Sequence, residues 1–297
     1  MTGCISYGMT ERIRSSSEGK FTHHPLPMRQ NNFIGDHKMP RKKKPFTDSI
    51  YTASTTFWQE WDRYNTQVVR DLPVFCSKEG LYHEHLSACL RVINDALEDH
   101  PRTLAIRVDL RLPGFMDRLP YDAISHFMDT FKDKVKQDRR RAARVQGYSK
   151  PCKVRYIWVR ERDKAQSDHF HVLLLLNQDA YPSLGSFNSE RQNLAKRIKE
   201  SWALALGIYP DELCGGVLFP KNCEYIVDAS VEPDNSLLWL MESEEWLGLK
   251  KKQRDKKLSW FNDRYEGLFY RVSYFCKANT KVFGRGLKSF SCSRLKR

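Results

Sequence analysis

Residues 153–177 read KVRYIWVRERDKAQSDHFHVLLLLN, and the fold turns on them. Two apolar runs flank the polar stretch RDKAQSD, which predicts a β-hairpin with strands over 153–161 and 170–177. The second run carries five consecutive apolar residues, Val172 to Leu176, directly after the triplet His169-Phe170-His171. A strand that apolar is buried on both sides. Side chains alternate across a strand, so His169 and His171 share one face, about 7 Å apart along the chain. Phe170, Val172, Leu174 and Leu176 anchor the other face, while Leu173 and Leu175 continue the histidine face and require it to be covered.

A histidine pair at a strand end is more often a hydrogen-bonded structural feature than a ligand pair. Glu161 changes the reading, because the hairpin brings the end of the first strand back towards the second. Two imidazoles and one carboxylate leave coordination positions open for substrate oxygens, which suits Mg²⁺ or Mn²⁺ on a phosphate better than a closed zinc site. Asp109 and Asp168 are the other acidic residues in reach of such a site.

Outward from the hairpin, LAIRVDLRL (104–112) alternates strictly. Leu104, Ile106, Val108, Leu110 and Leu112 form an inner face; Arg107, Asp109 and Arg111 form a charged face that reads as open to solvent. A long helix follows from about Pro120 to Gln146, apolar at Ile124, Phe127, Met128 and Phe131 and ending in the basic cluster RRRAAR. After the hairpin, Asn188 or Ser189 caps a helix that Gly207 ends, GGVLFP and CEYIVDAS read as one or two short strands, and 236–258 as an excursion or lid rather than core. These elements predict an α+β domain over 101–283, a central, mainly antiparallel sheet with helices on its faces. Residues 50–100 are expected as a helical segment, on the three- and four-residue spacings of Trp58, Trp61, Tyr64 and Val68, then Leu86, Leu90, Ile93 and Leu97. His83 and His85 read as surface or cap residues of its second helix. Residues 1–49 read as a flexible basic arm and 284–297 as a basic tail.

The chain has 297 residues, 50 Lys plus Arg against 36 Asp plus Glu, and a formal charge of +14. Such a surplus favours a polyanionic partner, first of all nucleic acid. No apolar run approaches a membrane span, and the polar N-terminus lacks a signal-peptide core, so no membrane partner and a cytoplasmic site of action are expected. Eight dispersed cysteines without CxxC spacing read as free, mostly buried thiols.

The last predicted helix, GLFYRVSYFCKANTK, sets Tyr270 and Tyr274 four residues apart on one face, with Lys277 three further on. Beside a divalent ion and an ammonium, a tyrosine can attack a phosphodiester. Ordinary core aromatics with a snorkelling lysine give the same pattern.

His-hydrophobic-His followed about a hundred residues later by Tyr-x-x-Lys resembles the HUH endonucleases. VRYIWVRERDKAQSDHFHVLLLLN with LFYRVSYFCKANTK is similar, more narrowly, to the replication proteins of filamentous phages (inoviruses) and to the YagK/YfjJ C-terminal-domain proteins. The resemblance spans about 101–283. It implies that His169 and His171 bind Mg²⁺ or Mn²⁺ with Glu161 as the acidic ligand, that Tyr274 is the nucleophile, and that Lys277 holds the metal or phosphate. Tyr270 takes the second position of a two-tyrosine arrangement. The implied reaction nicks single-stranded origin DNA through a 5′-phosphotyrosine to start rolling-circle replication of a phage or prophage-like element in a bacterial cytoplasm. Arg107, Arg111 and Lys281 are the expected DNA contacts. No phosphate loop is present, so a host helicase and polymerase are the expected partners. Two other readings fit part of the pattern: a non-catalytic DNA-binding prophage regulator, and a zinc hydrolase whose nucleophile is water.

Overall fold

The computed structural model describes residues 56–62, 67–75, 77–162, 168–187, 189, 191–230, 244–279, 281 and 288–296. The expected arm over 1–49 lies outside them. The centre is an antiparallel sheet built on the predicted hairpin: β4 (Arg155–Arg162) pairs with β5 (Asp168–Asn177), and β5 pairs on its other side with β3 (Arg102–Leu110). The histidine strand is therefore central. Beyond β3 lie two short strands, β6 (Val217–Leu218) and β7 (Glu224–Asp228), and β8 (Phe290–Cys292) closes the far edge against β4.

Both faces are covered, as the apolar run in β5 requires. One face carries Ile106, Val108, Phe170, Val172 and Leu174 and is packed by α2 (Ala123–Gln146) and α3 (Leu194–Leu206). The other carries Ala105, Ile157, Val159, Leu173 and Leu175 and is packed by α1 (His83–Asp99) and by α4 (Glu244–Ser273). Gly267 lets α4 lie against β7, since a Cβ there would come within 2.2 Å of the Tyr225 hydroxyl.

Several boundaries differ from expectation. The helical reading of 50–100 holds for α1, but Thr56–Asp62 and Gln67–Pro73 are the antiparallel strands β1 and β2. Tryptophan, phenylalanine and paired valines suit a pleated surface, and pairing overrides the helical spacing. Helix α3 starts at Leu194, where the Asn193 side chain accepts from Lys196 N at 2.9 Å, so neither Asn188 nor Ser189 is its cap. Of the span 236–258, residues 244–258 are helical, the first half of α4, and 236–243 lie outside the described residues.

The presumed tail over 284–297 includes β8. Phe290 and Cys292 point into the α1/α4 core at period two, a pattern that the surrounding basic residues concealed. His85, expected at the surface, stacks on Phe290 with ring centroids 4.0 Å apart. The six cysteines among the described residues are free, as expected.

Candidate metal centre

The register of the three central strands assembles the site. Asp109 of β3 and Val159 of β4 both lie opposite His171 of β5, and Glu161 lies opposite His169. Paired residues in a sheet project to the same side, so Arg107, Asp109, Glu161, His169 and His171 share the α1/α4 face. One potential ligand atom each from Glu161, His169 and His171 falls within 4.8 Å of the others, and all three residues are buried. Two imidazoles and a carboxylate that close together fit a divalent ion with open positions. The triad expected from the sequence is brought together.

Asp109 supplies what the sequence left without a role. Its Oδ1 stands 2.7 Å from Nδ1 of His171, and Arg107 Nε is 3.3 Å from the same oxygen. An ionised carboxylate only accepts, so Nδ1 carries the proton and Nε2 of His171 is left as the ligand atom, 3.6 Å from Glu161 Oε2. Burial opposes charge on Asp109, yet His171 and Arg107 hold its carboxyl below the usual range. Burial likewise opposes a charged His171, but Asp109 and Glu161 together raise its pKa. Asp168 is no ligand: it faces the other side of the sheet, paired with Arg160 and with Arg162 at 2.7 Å.

The tyrosine arrives by a change of helix type. Ser273 donates its hydroxyl to the Tyr270 carbonyl at 2.7 Å and accepts from Phe75 N at 2.7 Å. There α4 ends and Tyr274–Cys276 form a 3₁₀ turn. Tyr270 is 45 % exposed on the last turn of α4, while Tyr274 is half-buried over the site, its ring centroid 6.1 Å from that of His171. The segment before α1 fixes the turn, with Tyr82 N donating to Cys276 O at 2.8 Å and Ala278 N to Gly80 O at 2.9 Å. Phe75 closes one side, edge-on to Tyr274 at 5.1 Å.

Two lysines converge on Glu161. Lys277 Nζ donates to the Tyr274 hydroxyl at 2.7 Å and stands 2.9 Å from Glu161 Oε2; Lys281 Nζ is 2.6 Å from Oε1. Burial works against ionising Glu161, but His171 and both lysines outweigh it and keep the carboxyl far below its ordinary value. Burial lowers Lys281 despite Glu161, whereas for Lys277 the bonds to Tyr274 and Glu161 overcome burial and raise its pKa.

The expected DNA contacts fare differently. Lys281 is no surface contact, because its side chain is fully buried on Glu161. Arg107 is not on an open face either. The α1/α4 layer covers that side, and the guanidinium lies over the rings of Tyr274 and Phe275 at 5.5 and 5.7 Å. Arg111 is exposed just past β3, outside the described ion pairs. Of the three charges in 104–112, Asp109 is buried and Arg107 partly so in a polar site under α1 and α4, which a sequence pattern cannot tell from a wet face.

Residues 64–243 match the family described as the YagK/YfjJ C-terminal domain. The chain belongs to that family. Two relatives from Escherichia coli (strain K12) align over most of their length. The uncharacterized protein YfjJ is 31% identical over 231 residues, 74% of this chain and 97% of YfjJ. The uncharacterized protein YagK is 29% identical over 230 residues, 73% of this chain and 97% of YagK. No solved structure matches. The YagK/YfjJ match starts before residue 101, and α1 packs in the same core as the face that carries Glu161, His169 and His171. It holds Glu161, His169 and His171 and stops short of Tyr274 and Lys277. Among the described residues, no helix is long and apolar enough to cross a membrane.

Proposed function

We propose that this protein is a divalent-metal-dependent, single-strand DNA endonuclease of the HUH type, with Tyr274 as nucleophile. One observation carries the reading: the Glu161–His169–His171 cluster lies under a tyrosine whose hydroxyl is already bonded to Lys277, itself bonded to Glu161. Glu161, His169 and His171 would hold Mg²⁺ or Mn²⁺, which supplies charge stabilisation to a bound phosphate when present. Asp109 keeps His171 in the tautomer that presents Nε2. Lys277 places a positive charge beside the tyrosine oxygen and orients it. Tyr274 gives up its proton as its oxygen bonds to phosphorus; the bond to the 3′ oxygen breaks and that oxygen takes up a proton. No water is consumed, and the free 3′ hydroxyl is available to a host polymerase, with strand separation left to a host helicase. Initiation of rolling-circle replication for a phage or prophage-like element is the process that such a product serves.

The structure also favours a second reading at one point. Both Glu161 oxygens are engaged by lysines, as in a regulator that has replaced its ion with ammonium groups and kept only DNA binding. Incubation with single-stranded DNA and Mn²⁺, followed by a denaturing gel, separates the two. The nuclease forms a covalent protein–DNA adduct that Tyr274→Phe abolishes; the regulator forms none with either protein.

A further inference from the structure

The other side of the sheet carries a feature that this chemistry does not use. A groove of about 470 Å³ runs between α2 and the segment leading into β4. Lys132, Lys136, Arg139, Arg140 and Lys153 line it, with no carboxylate among its lining residues. Three of the cations are partly compensated: Lys132 by Asp129 at 3.3 Å, Arg139 by Asp138 at 2.5 Å, and Lys153 by Asp99 at 3.2 Å. Lys136 and Arg140 are exposed and have no ion pair among the described residues, and the buried Nε of Arg139 lacks an acceptor.

Positions 132, 136, 139 and 140 fall on one helix face, and α2 carries Lys132 and Arg140 about 12 Å apart along its axis. That is roughly three nucleotide steps of a strand rising about 3.4 Å each. A bilayer fits poorly. The apolar side of α2 (Ile124, Phe127, Met128, Phe131, Val135) is buried in the core, leaving no apolar face to insert, and a flat surface does not enter a groove.

We infer that this groove binds the phosphodiester backbone of nucleic acid, independently of sequence, as a second contact on the face of the sheet opposite the metal centre. It needs neither the ion nor Tyr274, so it stands or falls apart from the nuclease reading. The groove raises affinity and holds DNA; the chemistry is elsewhere.

The test measures fluorescence anisotropy of labelled duplex and single-stranded oligonucleotides in EDTA, over about 50 to 200 mM salt. The full chain is compared with Lys136→Gln/Arg140→Gln, two exposed substitutions that leave the core untouched. Expected is a loss of affinity of about tenfold at the higher salt, and a log–log salt slope smaller by about two, one per lost phosphate contact. The variant at saturating DNA forms whatever adduct wild type forms. Unchanged affinity and slope on both probes overturns the inference. So does a variant that loses binding to phosphatidylserine vesicles while its DNA binding stays intact.

Discussion

The ammonium of Lys277 stands 2.7 Å from the hydroxyl of Tyr274 and 2.9 Å from Glu161 Oε2. A single side chain thus joins the nucleophile of the proposed reaction to the carboxylate of its metal cluster. Tyr274→Phe removes the attacking oxygen and keeps the ring packed on Phe75, so the adduct with single-stranded DNA disappears while the fold persists. Tyr270→Phe, on an exposed position, leaves the first nick intact. A denaturing gel reads both, and an adduct formed by Tyr274→Phe at the wild-type rate sinks the assignment.

How much of this was readable in advance depends on the kind of residue. His169, His171 and Glu161 could be found because a hairpin and a period of two fix which side chains meet. Asp109 was visible as a charge on a strand, but its bond to His171 depends on the register of β3 on β5, which connects residues 62 apart in sequence. Lys281 was misread because nothing local distinguishes a lysine that neutralises a buried carboxylate from one that meets solvent. Tyr270 and Tyr274 differ in cover for a different reason: α4 ends at Ser273 and Tyr274 opens a 3₁₀ turn held by the segment before α1, which no local spacing encodes.

Lys281 competes with any cation for Glu161. Its side chain is fully buried and bonded to Oε1 at 2.6 Å, an interaction of the charge-assisted class worth roughly 1.5–3 kcal/mol. Lys281→Met keeps a similar volume and frees that oxygen. Mn²⁺ affinity measured by calorimetry should tighten about tenfold, the lower end of that range. Weaker binding in a variant with a native circular dichroism spectrum would mean that Lys281 builds the site and does not block it.

His85 gives the fold an acid sensitivity. Burial, reinforced by Lys281, pushes its pKa from the ordinary 6.5 down to about 4. The unfolded chain takes up a proton at this residue before the folded chain does. Its contribution is therefore fully present above pH 6.5 and is lost as pH falls towards about 4, roughly 3 kcal/mol across that window. Urea unfolding of wild type and His85→Leu across this range checks it: wild type should lose more stability than the variant on acidification. A constant gap between the two would show that the ring on Phe290 titrates as it does in the unfolded chain.

Arg155 is 2 % exposed and holds α1 to the sheet: its Nε is 2.7 Å from Asp99, and one terminal nitrogen is 2.9 Å from Asp95 and 2.8 Å from the Arg294 carbonyl. Arg155→Met removes the buried cation that Asp95 and Asp99 share, a change that costs about 3–5 kcal/mol when one partner of a buried pair is removed. Because α1 packs on the face that carries Glu161, His169 and His171, weaker Mn²⁺ binding should accompany the lower stability if that cluster holds the ion. The pH dependence separates this from a simple packing loss. Burial works against the Asp99 carboxylate, but Arg155, Lys296 and Lys153 hold its pKa at about 2, against an ordinary 3.8. That stabilisation is complete above pH 3.8 and fades as pH falls through about 2, about 2 kcal/mol in all. Without Arg155 the folded-state pKa moves up towards the ordinary value, so the variant loses less stability on acidification than wild type does. Parallel acid-unfolding curves would place the stabilising contact of Asp99 on Lys153 and Lys296 instead.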